Sequence, residues 1–196
     1  MRGKWLIGIT GGIGAGKSVV SRILRHRGYP VYDCDSEAKR LMDTDAEVIS
    51  GLKSLLGDSI YSADGKLDRG EMSCRLFSDD EIRRGVNGIV HSAVRRDLMR
   101  WTGMQQRYPA FVESAILSTS RLDEDCDEVW LVDAPEDVRI RRVKERNGLE
   151  EGAIRRRIAS QSQEFGQLPK ERLSVLDNGG EVSLLRQIDS LLGKYK

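Results

Sequence analysis

Short apolar runs alternate along the chain with stretches of helical period. Five runs have strand length and composition: residues 4–10 (KWLIGIT), 30–32, 110–113 (AFVE), 128–132 (EVWLV) and 173–176 (LSVL). Such alternation predicts an α/β protein with a mostly parallel sheet, because parallel neighbours need the long crossover that a helix supplies. The first helix is expected to open at Lys17, carry Val19, Val20, Ile23 and Leu24 on one face, and stop at Gly28. Between the second and third strands, residues 33–109 are too many for one crossover. Within them Ile82, Val86, Ile89, Val90, Val94, Leu98 and Trp101 recur at helical spacing. That stretch is read as an inserted helical lobe at residues 36–109, with polar turn clusters at Ser62-Ala63-Asp64-Gly65 and Asp68-Arg69-Gly70. Residues 135–164 read as two more helices, broken near Asn147-Gly148.

Composition narrows the class. In 196 residues, 39% are hydrophobic and 32% charged, enough apolar material for a core and too little charge bias for disorder. Lys and Arg number 32 against 31 Asp and Glu, a net charge of +1, which argues against a globally basic nucleic-acid binder. No apolar run approaches the roughly 20 residues that span a bilayer, so no membrane role is expected. Met1-Arg2-Gly3-Lys4-Trp5 leads straight into a strand-like segment without an apolar leader, which suggests a cytoplasmic protein. Cys34, Cys74 and Cys126 are odd in number, far apart and in no Cys-x-x-Cys pair; each is read as small core filler. The near-neutral total hides one local excess. Between positions 139 and 157, Arg139, Arg141, Arg142, Lys144, Arg146, Arg155, Arg156 and Arg157 face only Glu145, Glu150 and Glu151. A polyanionic ligand held by arginine forks would explain it; a solvated helical face is the plainer alternative.

Gly11-Gly12-Ile13-Gly14-Ala15-Gly16-Lys17-Ser18 matches G-x-x-x-x-G-K-[ST], directly after a predicted strand and opening a predicted helix. The glycines let backbone N–H groups turn around phosphate oxygens, and the helix N-terminus adds its dipole. In such a loop Lys17 reaches the β- and γ-phosphates and the Ser18 hydroxyl ligates Mg²⁺. That implies a nucleoside triphosphate but leaves kinase, GTPase switch and mechanical ATPase open. A GTPase needs an Asn-Lys-x-Asp guanine-reading motif, and the sequence has none; Asp177-Asn178-Gly179-Gly180 fits Asp-x-x-Gly but comes too late in the chain. For a kinase, the second strand ends in Tyr32-Asp33-Cys34-Asp35, two carboxylates where a parallel sheet binds ligands. One of them can accept the proton of an attacking hydroxyl; the alternative for Asp35 is a cap on the helix beginning near Ser36, and Asp33 can equally be an outer-sphere partner of Mg²⁺. Glu113, ending the third strand, stands where a Walker-B carboxylate would lie, with a surface ion pair as the alternative.

Together these residues resemble the dephospho-coenzyme A kinase family over almost the whole chain. Residues 9–18 resemble that family's form of the loop, and Val31-Tyr32-Asp33-Cys34-Asp35 its Asp-x-Asp strand end. Asp64-Gly65-Lys66-Leu67-Asp68-Arg69, Phe77-Ser78-Asp79 and Asn87-Gly88-Ile89-Val90-His91 are similar to its substrate-domain signature in order and spacing. Arg142, Arg146, Arg157-Ile158 and Gln161 sit where its lid arginines and glutamine are found, and Asp177-Asn178-Gly179 matches its late turn.

The resemblance implies a three-layer P-loop NTPase fold: a parallel five-stranded sheet in a core of residues 1–35, 110–134 and 165–196, a helical acceptor lobe at 36–109, and an arginine-rich lid at 135–164 that closes over the triphosphate. It implies transfer of the ATP γ-phosphoryl group to the ribose 3′-hydroxyl of dephospho-coenzyme A, with Mg²⁺, by a monomer or weak oligomer. Carried over by residue, Asp35 is the general base, and Lys17 and Arg142 neutralise the transferring group. Gly12, Ile13, Gly14, Ala15, Gly16, Lys17, Ser18, Arg142 and Asn178 hold ATP, with Ser18 on the metal. Asp33, Asp35, His91, Glu113, Arg157 and Gln161 serve the acceptor, although Asp68, Arg69 and His91 read equally well as structural. A kinase of similar build for a nucleoside monophosphate, and a nucleotide-dependent switch, are the alternatives. The chain departs from the family twice. Ser92 follows His91 where the family has proline, and Glu113-Ser114-Ala115-Ile116-Leu117-Ser118-Thr119 replaces a carboxylate followed by Pro-Leu-Leu and an aromatic-acidic pair. The leading carboxylate is kept, and the wall after the third strand is expected to differ.

Overall fold

The computed structural model describes residues 4–166 and 168–195; the expectations that touch Met1, Arg2, Gly3, Gln167 and Lys196 lie outside the described residues. The elements run β1 (Leu6–Thr10), α1 (Lys17–His26), β2 (Val31–Asp33), α2 (Cys34–Thr44), α3 (Ala46–Leu56), α4 (Arg69–Ser78), α5 (Asp80–Met104), β3 (Ala110–Glu113), β4 (Glu128–Asp133), α6 (Glu136–Asn147), α7 (Glu151–Ser160), α8 (Ser162–Gly166), β5 (Leu173–Asp177) and α9 (Leu184–Leu192). All five strands fall where the apolar runs predicted, shifted by no more than a residue or two at their ends. The chain divides into two compact units, Met1–Tyr32 with Gln105–Lys196, and Asp33–Met104.

The first unit is built on a parallel sheet of order β2-β3-β1-β4-β5. Central β1 is buried at every position, as a strand covered on both faces must be. Its register sets Ile9 opposite Glu113 on one side and Trp130 on the other. The core gathers Ile7, Ile9, Val20, Leu24, Phe111, Trp130, Val132, Leu176 and Ile188, with the Phe111 and Trp130 rings 5.1 Å apart. Helix α1 contributes Val20 and Leu24 fully, with Ile23 packed beside them and Val19 at the rim. Arg27 caps its end, and Gly28 follows with a φ of +79°, its N–H on the Arg25 carbonyl. The expected break at Asn147-Gly148 separates α6 from α7, with Gly148 in the left-handed cap conformation.

The second unit packs α2, α3 and α4 on the 25-residue α5. Val86, Val94 and Leu98 of α5 are buried, while Ile82, Ile89, Val90 and Trp101 of the same predicted stripe lie partly exposed. Asp97 is buried among them and accepts hydrogen bonds from Arg40 at 2.9 Å and Arg100 at 2.5 Å, which offsets the cost of desolvating a carboxylate. Cys34 and Cys126 are core filler as expected, but Cys74 is exposed, because α4 buries none of its residues. Among the described residues no helix is long and apolar enough to cross a membrane.

His91 lies partly buried on α5, and burial alone pushes its imidazole below the ordinary histidine range. The neutral ring is therefore favoured by folding, and protonation opposes it. Stability is expected to fall as pH drops below about 6.5, where the unfolded chain begins to take up the proton. His91→Gln should flatten that part of the profile of denaturant midpoint against pH between about 7 and 5. An unchanged slope would put the charge in solvent.

Candidate active site

The loop Gly11–Ser18 joins β1 to α1 in the first unit. Gly14 and Gly16 have φ of +79° and +105°, a conformation costly for any residue with a Cβ. Helix α1 has no side-chain N-cap and no acid in its first turn, so its positive end is left unneutralised for an anion. Side chains hold four of the loop's carbonyls, one from within the loop and three from beyond it. Gly11 accepts from Lys17 Nζ at 2.6 Å, Ile13 from Arg139 Nε at 3.0 Å, Gly14 from Arg142 Nη1 at 3.5 Å and Ala15 from Asn178 Nδ2 at 2.8 Å. In a trans peptide the next N–H points opposite to the carbonyl, so anchoring Ile13 and Ala15 outward turns the Gly14 and Gly16 amides the other way. Side-chain donors thus fix which way these two amides face.

Those donors tie the loop to two other strand ends. Arg142 also donates to the Asn178 carbonyl at 2.9 Å, and the Asn178 N–H bonds the Asp133 carbonyl at 2.7 Å, joining the ends of β4 and β5. A Cβ on Gly16 would overlap Asn178 Nδ2. Lys17, Arg142 and Asn178, all predicted from sequence, therefore meet around one loop. Gln161 joins them there: its Oε1 accepts the Ile13 N–H at 2.8 Å, which sets it on the phosphate loop, whereas the resemblance grouped it with the acceptor residues. Arg139, which the sequence offered only as one of eight cations, is 9% exposed and covers Gly12, where a Cβ would overlap its Nη2. Beyond the freedom to turn expected of the loop's glycines, Gly12 clears room for a guanidinium.

Asp33 is the N-cap of α2, its carboxylate accepting the Ser36 N–H at 3.1 Å, so the cap considered for Asp35 is supplied two residues earlier. Asp35 is exposed in the first turn of α2. Glu113 ends β3, the neighbour of β1, and is partly buried. Ser18 is exposed at the start of α1, and Arg157 is exposed on α7.

The departure after Glu113 has a structural partner that the sequence did not announce. Ser114 is buried, its N–H on the Ile9 carbonyl, and its Oγ accepts from the Ile116 N–H at 3.2 Å. Glu164 of α8, 5% exposed, accepts the Ser118 N–H at 2.5 Å, the Thr119 N–H at 2.9 Å and the Thr119 hydroxyl at 2.5 Å. A buried carboxylate with three donors is fully compensated, and removing its charge leaves those donors poorly matched. Glu164→Gln is expected to cost about 1–3 kcal/mol, read as a fall of several degrees in Tm. A Tm within a degree of the parent would show the clamp to be dispensable.

The sequence profile of the family described as dephospho-CoA kinase matches residues 5–183. A dephospho-CoA kinase of Porphyromonas gingivalis is 44% identical over 158 residues, covering 81% of this chain and 78% of its own. One from Shouchella clausii is 32% identical over 191 residues, 96% of this chain and 97% of the relative. Among solved structures, TT1252 from Thermus thermophilus superposes with a TM-score of 0.83 at 32% identity, covering the whole of both chains.

Proposed function

The chain belongs to the dephospho-CoA kinase family, and from that membership we propose how its residues divide the reaction. It is a kinase that phosphorylates dephospho-CoA at the expense of ATP, in coenzyme A biosynthesis. The finer reading is that the acceptor is the ribose 3′-hydroxyl and that the step completes the pathway. The observation that carries the ATP side is the uncapped α1 terminus behind a loop whose carbonyls are tied back by Lys17, Arg139, Arg142 and Asn178.

Phosphoryl transfer asks a protein mostly for positioning and charge neutralisation. Lys17 is placed at the loop by its bond to Gly11 and exchanges that carbonyl for phosphate oxygen when ATP arrives. Arg142, on the helix packed against the loop, neutralises the γ-phosphoryl group as charge spreads over it. Asn178 sets the edge where the adenine lies. Asp35 takes the proton of the 3′-hydroxyl; that oxygen bonds to the γ-phosphorus while the bond to the β,γ-bridging oxygen breaks and ADP leaves. Asp33 is occupied with Ser36, which favours Asp35 for the base. His91, Arg157 and Glu113 complete the reading on the acceptor side.

Among the described residues no cluster of three or more His, Cys, Asp or Glu side chains is set to hold a metal. Ser18 at the exposed helix start offers one hydroxyl, and that fits Mg²⁺, an ion that keeps most of its shell as water and nucleotide oxygen. Bound with ATP, Mg²⁺ would withdraw charge from the β- and γ-oxygens. A cytoplasmic monomer or weak oligomer belongs to the same reading.

The test is Mg²⁺-dependent ADP release from ATP with dephospho-CoA, AMP, CMP or no acceptor, and the mass of the product. Stimulation by dephospho-CoA alone, with a gain of one phosphoryl group, is expected. Stimulation by AMP or CMP instead would mean that residues 114–119 have re-specified the acceptor. No stimulation by any acceptor would favour a nucleotide switch.

A further inference from the structure

Arg139 has no role in the division of labour above beyond bracing a carbonyl, yet it is the most anomalous charge in the first unit. It is 9% exposed, and its Nη2 is buried with no hydrogen-bond partner among the described residues. Its Nε donates to Ile13, and the guanidinium lies so close against Gly12 that a Cβ there would overlap Nη2 and fall 2.6 Å from Cζ. Its backbone is equally tight to the loop: a Cβ on Gly14 would meet the Arg139 carbonyl oxygen at 2.6 Å. Two residues of the phosphate loop thus lack side chains where this one arginine is seated.

A desolvated cation short of a partner is costly, and substitution by a neutral group relieves that cost unless something pairs with the charge. The loop supplies a reason to keep it. Its amides and the α1 terminus face an anion of several charges, and a guanidinium fixed against the Gly12-Ile13 peptide acts on that anion through a low dielectric, without needing to move. We propose that Arg139 is a positioning residue for the nucleotide: Nε fixes the Ile13 peptide, and the buried charge is compensated only when phosphate occupies the loop. The inference rests on reading this loop as the ATP site. It separates Arg139 from Arg142, whose Nη2 already has the Asn178 carbonyl.

The proposal predicts opposite effects on the empty and the loaded protein. In Arg139→Gln, MgADP should bind at least about tenfold more weakly by calorimetry, or about 1.4 kcal/mol, while the Tm without nucleotide stays at or above that of the parent. Binding of dephospho-CoA alone should change less than about twofold. Arg139→Lys, which keeps the charge and loses the fork, should recover part of the MgADP affinity. A lowered Tm with MgADP affinity within about threefold of the parent would overturn the proposal in favour of a purely structural arginine, as would equal loss of affinity and Tm in both variants. If the parent itself fails to bind MgADP, the ATP reading of the loop fails, and this inference with it.

Discussion

Alanine at position 17 is expected to abolish useful phosphoryl transfer, lowering kcat by roughly a thousandfold, the upper range for removal of one preorganised charge-stabilising donor. The reason is specific to where Lys17 stands. It is the first residue of α1, behind an uncapped terminus, and its ammonium is held at 2.6 Å from the Gly11 carbonyl at the start of the same loop. A cation already held at the loop loses little further entropy in meeting phosphate as the transition state forms. The fold should survive. Alanine is the best helix former, and the core of α1 is carried by Val20 and Leu24 rather than by Lys17. The Tm should therefore stay within a few degrees of the parent while turnover falls. Near-normal turnover with dephospho-CoA would remove the loop from the chemistry and leave its glycines as packing devices alone.

What the sequence made legible follows the range of the interactions concerned. Strands such as 110–113 and 128–132 were readable because β-branched and aromatic residues in short runs bounded by polar turns depend on nothing beyond their neighbours. The phosphate loop was readable for the same reason. Its meaning was only half readable. That Gly12 yields to Arg139 and Gly16 to Asn178 depends on contacts more than a hundred positions away in sequence, which no local spacing encodes. Asn178 has a turn signature and Arg142 a family position, so the sequence singles both out as candidates; Arg139 sits in a row of cations indistinguishable by composition. Glu164 was hidden likewise. Its three donors come from Ser118 and Thr119, in the segment where the chain leaves its family's pattern, and a lone glutamate in a polar helix gives no sign that it will be buried.

Cys74 failed in the opposite direction. Cysteine is among the most buried residue types, and a single residue carries no information about which face of its helix it occupies; in α4 the half-buried residues are Arg69, Met72, Arg75 and Leu76, and Cys74 lies off that face. The helical lobe was legible as a lobe because residues 33–109 were too long for one crossover, while its edges were set by expectation. The compact unit itself runs Asp33–Met104, so Asp33 and Asp35 both belong to the helical unit, at the start of α2.

That placement sharpens the second large effect. Asp35→Asn is expected to lower kcat by about a hundredfold or more, the scale of a lost general base, with MgADP affinity unchanged. The amide keeps the size of the side chain and removes its negative charge and with it the ability to take a proton. The helix should lose little: Asp35 is one of two acids in its first turn, worth a few tenths of a kcal/mol to the dipole, whereas its cap is Asp33, bonded to the Ser36 N–H, so Asp33→Ala is the variant that should cost about 1 kcal/mol of stability. The two aspartates thus separate on two axes, turnover for Asp35 and Tm for Asp33. Measuring kcat, MgADP affinity and Tm on both variants tests the separation directly. If Asp33→Ala loses the turnover and Asp35→Asn does not, the cap and the base are one residue. If Asp35→Asn loses MgADP binding along with turnover, Asp35 acts through the metal rather than on the hydroxyl. Only a loss confined to kcat in Asp35→Asn is what a base two residues beyond a separate helix cap produces.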